Sequence, residues 1–396
     1  MRVAFLTSGG VAPCLSASIA YLIKEYSTLD DSIEFYGYKH GYKGLLLGNK
    51  ISIPNNLFNK VGLIASFGGS AIGNSRVKLS NIDDCIKNKY IKKGQLPVEV
   101  AAKQLAADKI DILHTIGGDD TNTAAADLVE YLKNSNYNLT VVGLPKTIDN
   151  DVFPISQTLG AYTASEQGAI FFNNIVNENT TSSRQLIIHE VMGRNCGWLT
   201  AATAYEYRKL LKDKEFLPEL LLDKKRWDIH GIYLPEQEID FNQECIRLNK
   251  IMDKYDCVNI FLSEGAGLDV IIKEMKSKKQ KIHYDAFGHV RLDEINPGQW
   301  FAKNLKNKLN ADKVLVQKSG YFSRSAAPNL KDLELIQKTA QLAVKSALKN
   351  NSGVIAMDED NENIMSCIDF NRIKGGKPFN INADWFMKIL TEIGQK

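Results

Sequence analysis

The chain has 396 residues, with 49 Lys and Arg against 46 Asp and Glu, so its bulk charge argues neither for nucleic acid nor for an anionic membrane as partner. With 44% apolar and 24% charged residues it is neither disordered nor fibrous, and its length exceeds what one ordinary core supports, so two α/β domains are expected. The six cysteines (Cys14, Cys85, Cys196, Cys245, Cys257, Cys367) lack zinc-site spacing and the density of a secreted disulfide scaffold, and read as reduced thiols of a cytoplasmic protein. MRVAFLTSGG enters a strand pattern at once, leaving no room for a secretion leader, and no apolar run of about 18 residues follows.

Short apolar runs alternate with stretches of helical period, the pattern of βαβ units around a mostly parallel sheet. Val3 to Thr7 is the first expected strand, followed by SGGVAP and a helix from Leu15 to Tyr26. A strand at Ile33 to Tyr38, a helix at Glu99 to Asp108, a strand at Ile110 to Ile116 and an alanine-rich helix at Asn122 to Lys133 come next. The strand Leu139 to Leu144 runs straight into PKTIDNDV. Patterning restarts near Asn150 to Pro154, with a helix at Thr158 to Asn177, a strand at Gln185 to Val191 and the turn MGRNCGW. Further strands are expected at Ile229 to Leu234, Val258 to Leu262, Val314 to Gln317 and Gly353 to Met357, the last preceded by a helix at Leu333 to Leu348. The charged stretches Lys209 to Arg226 and Lys273 to Lys281 read as solvated surface. No fixed-period repeat is visible.

In open α/β sheets ligands gather at the carboxyl ends of strands, so the turns there carry the chemistry. Ser8-Gly9-Gly10, Gly117-Gly118-Asp119-Asp120-Thr121, Lys146-Thr147-Ile148-Asp149-Asn150-Asp151 and Met192-Gly193-Arg194 each follow an expected strand. Glycine lets backbone N–H groups approach an anion, and the following helix N-terminus favours negative charge. For Gly9 and Gly10 taken alone, turn geometry is the simpler explanation. FGGSAIGNSRVK, from Phe67 to Lys78, is equally a mobile surface loop or an anion clamp. Carboxylates beside a phosphate cradle make sense if Mg²⁺ lies between them, which makes Asp119 a candidate ligand. Asp119 and Asp120 also suit a helix cap and first turn. Asp149 or Asp151 could act as general base, or could belong to an Asx-turn. Arg194 and Arg324, both beside glycine turns, suit bidentate binding of a phosphate monoester. Glu264 in LSEGAG could accept hydrogen bonds from sugar hydroxyls. The histidines (His40, His114, His189, His230, His283, His289) show no ligand spacing and are assigned core or surface roles.

Taken together, TSGGVAPCLS, GNSR, GGDDTNT, PKTIDND, EVMGR, LSEGAG and GYFSRS, in that order from residue 7 to about residue 326, resemble the phosphofructokinase family, specifically its pyrophosphate-dependent members. The resemblance implies two Rossmann-like α/β domains with mostly parallel sheets and the active site in the cleft between them. It implies transfer of a phosphoryl group to the C1 hydroxyl of fructose 6-phosphate, with Asp149 as general base and Thr147 beside it. Asp119 would hold Mg²⁺, while Gly10, Arg76 and Lys146 would meet the diphosphate. Met192, Gly193, Arg194, Glu264, Tyr321 and Arg324 fall on the sugar-phosphate positions. Residues 1–150, completed by part of 325–396, would bind the donor, and 151–324 the sugar phosphate. A cytoplasmic homodimer or homotetramer is implied, with no nucleic acid or membrane partner.

Two positions decide the donor. ATP-using members typically carry glycine where this chain has Asp120 and commonly where it has Lys146; the carboxylate would occupy and charge the space of the nucleotide, and the lysine pairs with compact pyrophosphate. Tyr321 replaces a histidine and Gln185 an arginine of many ATP-using bacterial members; Arg184 is adjacent, and Lys318 stands near a further family arginine. The alternatives are an ATP-dependent 6-phosphofructokinase, a lipid or NAD kinase, which shares a GGD-type loop but lacks PKTIDND, MGR and GYFSRS, and a non-catalytic sugar-phosphate-binding subunit.

Overall fold

The computed structural model describes residues 1–135, 137–283 and 295–395; His289 lies outside them. The strands, in chain order, are β1 (Arg2–Thr7), β2 (Glu34–Tyr38), β3 (Lys50–Ile53), β4 (Ile112–Gly117), β5 (Thr140–Pro145), β6 (Val152–Phe153), β7 (Gln185–Val191), β8 (Gly231–Tyr233), β9 (Cys257–Ser263), β10 (Lys313–Lys318), β11 (Gly353–Asp358), β12 (Ile364–Ile368) and β13 (Lys374–Gly375). The helices that bear on the site are α1 (Leu15–Ser27), α2 (Asp119–Asn134), α3 (Ala161–Ile175), α4 (Trp198–Lys212), α5 (Phe241–Tyr255) and α6 (Leu330–Leu348).

Two compact units result. The first comprises Met1–Ala164 and Arg324–Lys377, the second Ser165–Ser323 and the chain from Pro378 onward. A seven-stranded sheet in the order β12-β11-β5-β4-β1-β2-β3 lies in the first unit; only its outer strands, β12 and β3, run antiparallel to their neighbours. The second unit holds the all-parallel sheet β10-β7-β9-β8. Every residue of β4, β5, β7 and β9 is buried, the property of parallel strands covered on both faces by crossover helices. That is why these strands read as mainly apolar runs rather than as alternation, with polar residues such as His114, His189 and Asn259 buried among them.

The first unit continues past residue 150. Leu159 N–H donates to Pro145 O at 3.0 Å, and the buried Asp332 carboxylate on α6 accepts from Gly160 N–H at 3.0 Å and Thr163 N–H at 2.7 Å. These bonds join 151–164 to the sheet that the preceding turn leaves. The last segment, from Pro378, packs instead into the second unit, where Phe379, Phe386, Ile389 and Leu390 join the core around Phe172, Tyr207 and Phe261.

Several expectations are corrected. The helix expected from Asn122 begins at Asp119, with Gly118 as its cap and both aspartates in its first turn. The helix expected from Thr158 begins at Ala161, because Thr158 is drawn into a turn: its N–H donates to Asn150 Oδ1 at 2.8 Å and its hydroxyl to Thr147 O at 2.7 Å. The stretch Lys209 to Arg226 is not wholly solvated surface. Arg226 is buried and donates to the carbonyls of Asn179 (2.7 Å) and Tyr255 (2.8 Å). Among the described residues His114, His189 and His230 are buried, and burial lowers His114 and His189 to about 3 and His230 to about 4, so these three are neutral at physiological pH.

Candidate functional site

Because β1, β4 and β5 are neighbours and parallel, their carboxyl ends deliver Ser8–Gly10, Gly117–Thr121 and Lys146–Asp151 to one edge of the seven-stranded sheet. The segment Phe67 to Lys78 is fastened there rather than loose. Gly9 N–H donates to Ser75 O at 2.9 Å, and Asn74 Nδ2 donates to Gly9 O at 2.7 Å. This brings Arg76 to the Gly10 turn: a Cβ on Gly10 would lie 3.7 Å from the Arg76 guanidinium.

Lys146 is buried, and its Nζ donates to Gly10 O at 2.7 Å. Burial lowers its ammonium from the ordinary 10.5 to about 8, against the attraction of Asp149 and Asp151, while Arg76 lowers it further. Burial also pushes the neighbouring Cys14 thiol far up, so Cys14 is a neutral neighbour.

The turn after Lys146 is held by its own side chains. Asp149 N–H donates to Thr147 Oγ1 at 3.1 Å, and the Thr147 hydroxyl donates to Asp151 Oδ1 at 3.2 Å. Asn150 adopts the left-handed conformation (φ 55°), and its buried amide donates to Ser156 O at 3.0 Å. Asn150 thus supports the turn through both its backbone conformation and its side chain.

Asp119 and Asp151 come from different turns and act on one another. Burial raises the Asp151 carboxyl, and the Asp119 charge raises it further. Two half-buried carboxylates that repel each other form an oxygen-donor pair suited to a hard divalent cation. Among the described residues no group of three or more His, Cys, Asp or Glu is placed to hold a metal, so any cation here would draw further ligands from water or substrate. The two-stranded sheet of β13 and β6 brings Gly375 against Asp119, where a Cβ on Gly375 would lie only 1.9 Å from Asp119 Oδ2. A side chain there would have to displace the Asp119 carboxylate.

Asp120 points elsewhere. Its Oδ2 pairs with Lys78 Nζ at 2.6 Å, with both side chains partly exposed.

In the second unit, β7 and β9 pair in register through Val191 and Ser263, so MGR and SEGAG leave the same edge. Gly193 (φ 126°) lies where L residues are strained, and its N–H donates to Glu264 Oε1 at 3.4 Å. Glu264 is raised by burial and by the charge of Glu190, and lowered by Arg194 and Lys318. Met192 packs on Gly320, whose Cβ would lie 2.7 Å from Met192 Cε. Lys318 pairs with the buried Glu190 at 2.7 Å. Tyr321 is 75% exposed. The second unit therefore gathers Met192, Gly193, Arg194, Glu264 and Tyr321, while Arg324, at the end of the helix Gly320–Arg324, is the first residue of the returning segment of the first unit. Gln185 is fully buried at the opposite end of β7, and Arg184 donates to Asp253 (2.9 Å) and to the Asn310 carbonyl (2.8 Å).

Sequence reasoning missed Lys78 as the partner of Asp120, Asp151 as the neighbour of Asp119, and Gly375 against Asp119. The glycine pair in KGGKP, 374–378, was the one visible signal for the last.

Glycine turns with convergent cations and carboxylates at the ends of parallel strands define a class of α/β proteins that handle phosphate groups. The Phosphofructokinase family pattern matches residues 2–347, and the chain belongs to that family. It is 57% identical over 394 residues to the pyrophosphate--fructose 6-phosphate 1-phosphotransferase of Methylomonas methanica, covering 100% of this chain and 96% of the relative. It is 52% identical over 394 residues to the protein of the same name from Propionibacterium freudenreichii subsp. shermanii, covering 100% and 98%. The crystal structure of a pyrophosphate-dependent phosphofructokinase from Marinobacter aquaeolei shares the fold, with a TM-score of 0.70 at 20% identity over 99% of this chain and 91% of that one.

Proposed function

We propose that the chain is a phosphotransferase that moves a phosphoryl group reversibly between pyrophosphate and the C1 hydroxyl of fructose 6-phosphate, giving fructose 1,6-bisphosphate and phosphate. The observation that carries the choice of donor is the buried Lys146 ammonium, 2.7 Å from Gly10 O at a turn shared with Arg76: a compact cationic site matched to a short, highly charged donor. The relatives named for that reaction support it over full length.

Phosphoryl transfer requires positioning and charge neutralisation more than covalent help. Lys146, Arg76 and the Gly10 turn hold the diphosphate, and Arg194 with Arg324 takes the sugar 6-phosphate. Thr147, Met192, Gly193 and Tyr321 complete the sugar site, and Glu264 accepts hydrogen bonds from sugar hydroxyls. Asp149 takes the C1 proton as the new O–P bond forms and the bridging P–O bond breaks, releasing phosphate; such a base contributes ~10²–10⁴ in rate. Asp119 with Asp151 would hold Mg²⁺, which neutralises the charge of the phosphates when bound. Those two carboxylates fit it, since Mg²⁺ takes one or two carboxylates and fills its remaining positions with phosphate and water oxygens. The first unit is the donor domain and the second the sugar-phosphate domain, in a cytoplasmic homo-oligomer. Gln185 is buried, and Arg184 donates to Asp253 within its own chain. No described helix is long and apolar enough to cross a membrane, and the six cysteines are unpaired.

The test is purified protein with fructose 6-phosphate and Mg²⁺, offered pyrophosphate or ATP separately, and with fructose 1,6-bisphosphate and orthophosphate for the reverse direction. Turnover with pyrophosphate in both directions is expected. Turnover with ATP alone would overturn the donor assignment.

A further inference from the structure

A wholly buried carboxylate that the proposed reaction does not use, Asp332, lies in the first turn of α6. Its Oδ1 accepts from Gly160 N–H at 3.0 Å, and its Oδ2 accepts from Thr163 N–H at 2.7 Å and from the Thr163 hydroxyl at 2.5 Å. Asn329 joins the same cluster: its N–H donates to Thr163 Oγ1 at 2.9 Å, and its side chain accepts from Asp332 N–H at 2.9 Å. The first N–H groups of a helix have no partner within it, so a buried acceptor on another element both satisfies them and fixes where α3 starts. A carboxylate accepts all these bonds, whereas an amide in its place would turn a donor toward one of them.

The segment that Asp332 holds is the one laid against the proposed donor site. Gly160 has φ 92°, and a Cβ on it would lie 3.0 Å from Pro13 Cδ, so its backbone is pressed against the turn that follows β1. Leu159 N–H donates to Pro145 O at 3.0 Å, Leu159 O accepts from the Cys14 thiol at 3.4 Å, and Leu159 forms a parallel bridge with Lys146. Leu159 and Gly160 thus splint the turns after β1 and β5, which meet where Lys146 Nζ donates to Gly10 O at 2.7 Å. Burial and then the Asp332 charge raise the Cys14 thiol, and the Lys146 charge lowers it, so both charges act on that one buried side chain.

We infer that Asp332 is a positioning residue of the donor site: through Gly160 and Thr163 it holds Leu159 beside Lys146, and thereby sets the Lys146 ammonium over the Gly10 turn. The inference rests on the proposed pyrophosphate reaction and deepens it. A carboxylate that only capped α3 would change stability alone. One that places Lys146 acts on pyrophosphate through that lysine, and its effect vanishes when the ammonium is absent.

The experiment is a double-mutant cycle on pyrophosphate affinity, measured by calorimetric titration with Mg²⁺ for wild type, Asp332→Asn, Lys146→Met and Asp332→Asn/Lys146→Met, with thermal unfolding of each. Asp332→Asn should weaken binding about five- to ten-fold in the wild-type background, part of the worth of one charge-assisted contact, and less than about two-fold in the Lys146→Met background. Thr163→Val keeps the Asp332 charge and removes one of its bonds, so it separates placement from charge. It should cost about two- to three-fold, and Thr163→Ser, which restores the hydroxyl, should return affinity to wild type. Tyr137→Phe, which removes a 2.8 Å bond to Ile110 O ahead of the amino end of β4, is the control for lost stability alone and should leave affinity unchanged. Lower unfolding temperatures with unchanged affinity in Asp332→Asn and Thr163→Val overturn the inference, and so does an equal loss in both Lys146 backgrounds. If Asp332→Asn does not fold, the same cycle built on Thr163→Val decides. Absence of pyrophosphate binding in wild type removes the donor assignment and the inference with it, whereas binding that is insensitive to both variants removes the inference alone.

Discussion

Raising the pH from 7 to 9 should strip the proposed donor site of its central charge while leaving the sugar site intact. Burial brings the Lys146 ammonium from 10.5 to about 8, so it is mostly protonated at pH 7 and roughly one-tenth protonated at pH 9. A pyrophosphate anion beside Nζ favours the protonated form, so donor affinity through this contact should fall about ten-fold over that interval, with proton uptake on binding between pH 8 and 9. The sign for stability is the reverse. The folded pKa lies below the ordinary value, so between about 8 and 10.5 the unfolded chain binds more protons than the folded one. The ligand-free protein should therefore gain stability across that window, on the order of 3 kcal/mol from this group, and lose it below pH 8. Calorimetric titration of pyrophosphate at pH 7, 8 and 9, in buffers of different ionisation enthalpy, measures affinity and proton uptake together. Lys146→Met supplies the control, because pyrophosphate's own ionisation is common to both proteins. An equal pH slope in wild type and Lys146→Met, or no extra proton uptake in wild type, would refute the reasoning.

Asp149→Asn should lower kcat by at least ~10² while fructose 6-phosphate affinity stays within a few-fold, because the loss is confined to the transition state; near-normal kcat would remove Asp149 from the mechanism. Arg194→Ala and Arg324→Ala should each cost ~10–100-fold in kcat/KM for the sugar phosphate, the loss of a charge-assisted contact of roughly 1.5–3 kcal/mol, with pyrophosphate binding little changed in calorimetry. Unchanged sugar kinetics in both would place the 6-phosphate elsewhere. Asp151→Asn, if Asp151 shares the cation with Asp119, should raise the Mg²⁺ concentration needed for half-maximal rate; an unaltered Mg²⁺ dependence would return Asp151 to a turn-ordering role.

The sequence by itself determined the parallel α/β class, the strand-to-helix turns and the residues to inspect at them. Those signals are local: a buried parallel strand is largely apolar, and a turn that meets an anion closely favours glycine, so RVAFLTSGG and ILHTIGGDD carry their own reading. Where local chemistry is ambiguous the sequence could not choose. TIDND offers four polar residues for one turn, and only packing shows that Asn150, with its left-handed backbone and its bond to Ser156 O, supports that turn. What only the tertiary structure decided is which distant side chains meet: Lys78 with Asp120, Asp151 with Asp119, Gly375 against Asp119, and Asp332 holding Gly160 and Thr163. The sheet order β11-β5-β4-β1 brings chain ends more than two hundred residues apart to one edge, as with β11 beside β5. No periodicity records such a meeting, because the energy of an ion pair or a buried carboxylate is set by separation in space and by access to water, and neither is written in spacing along the chain.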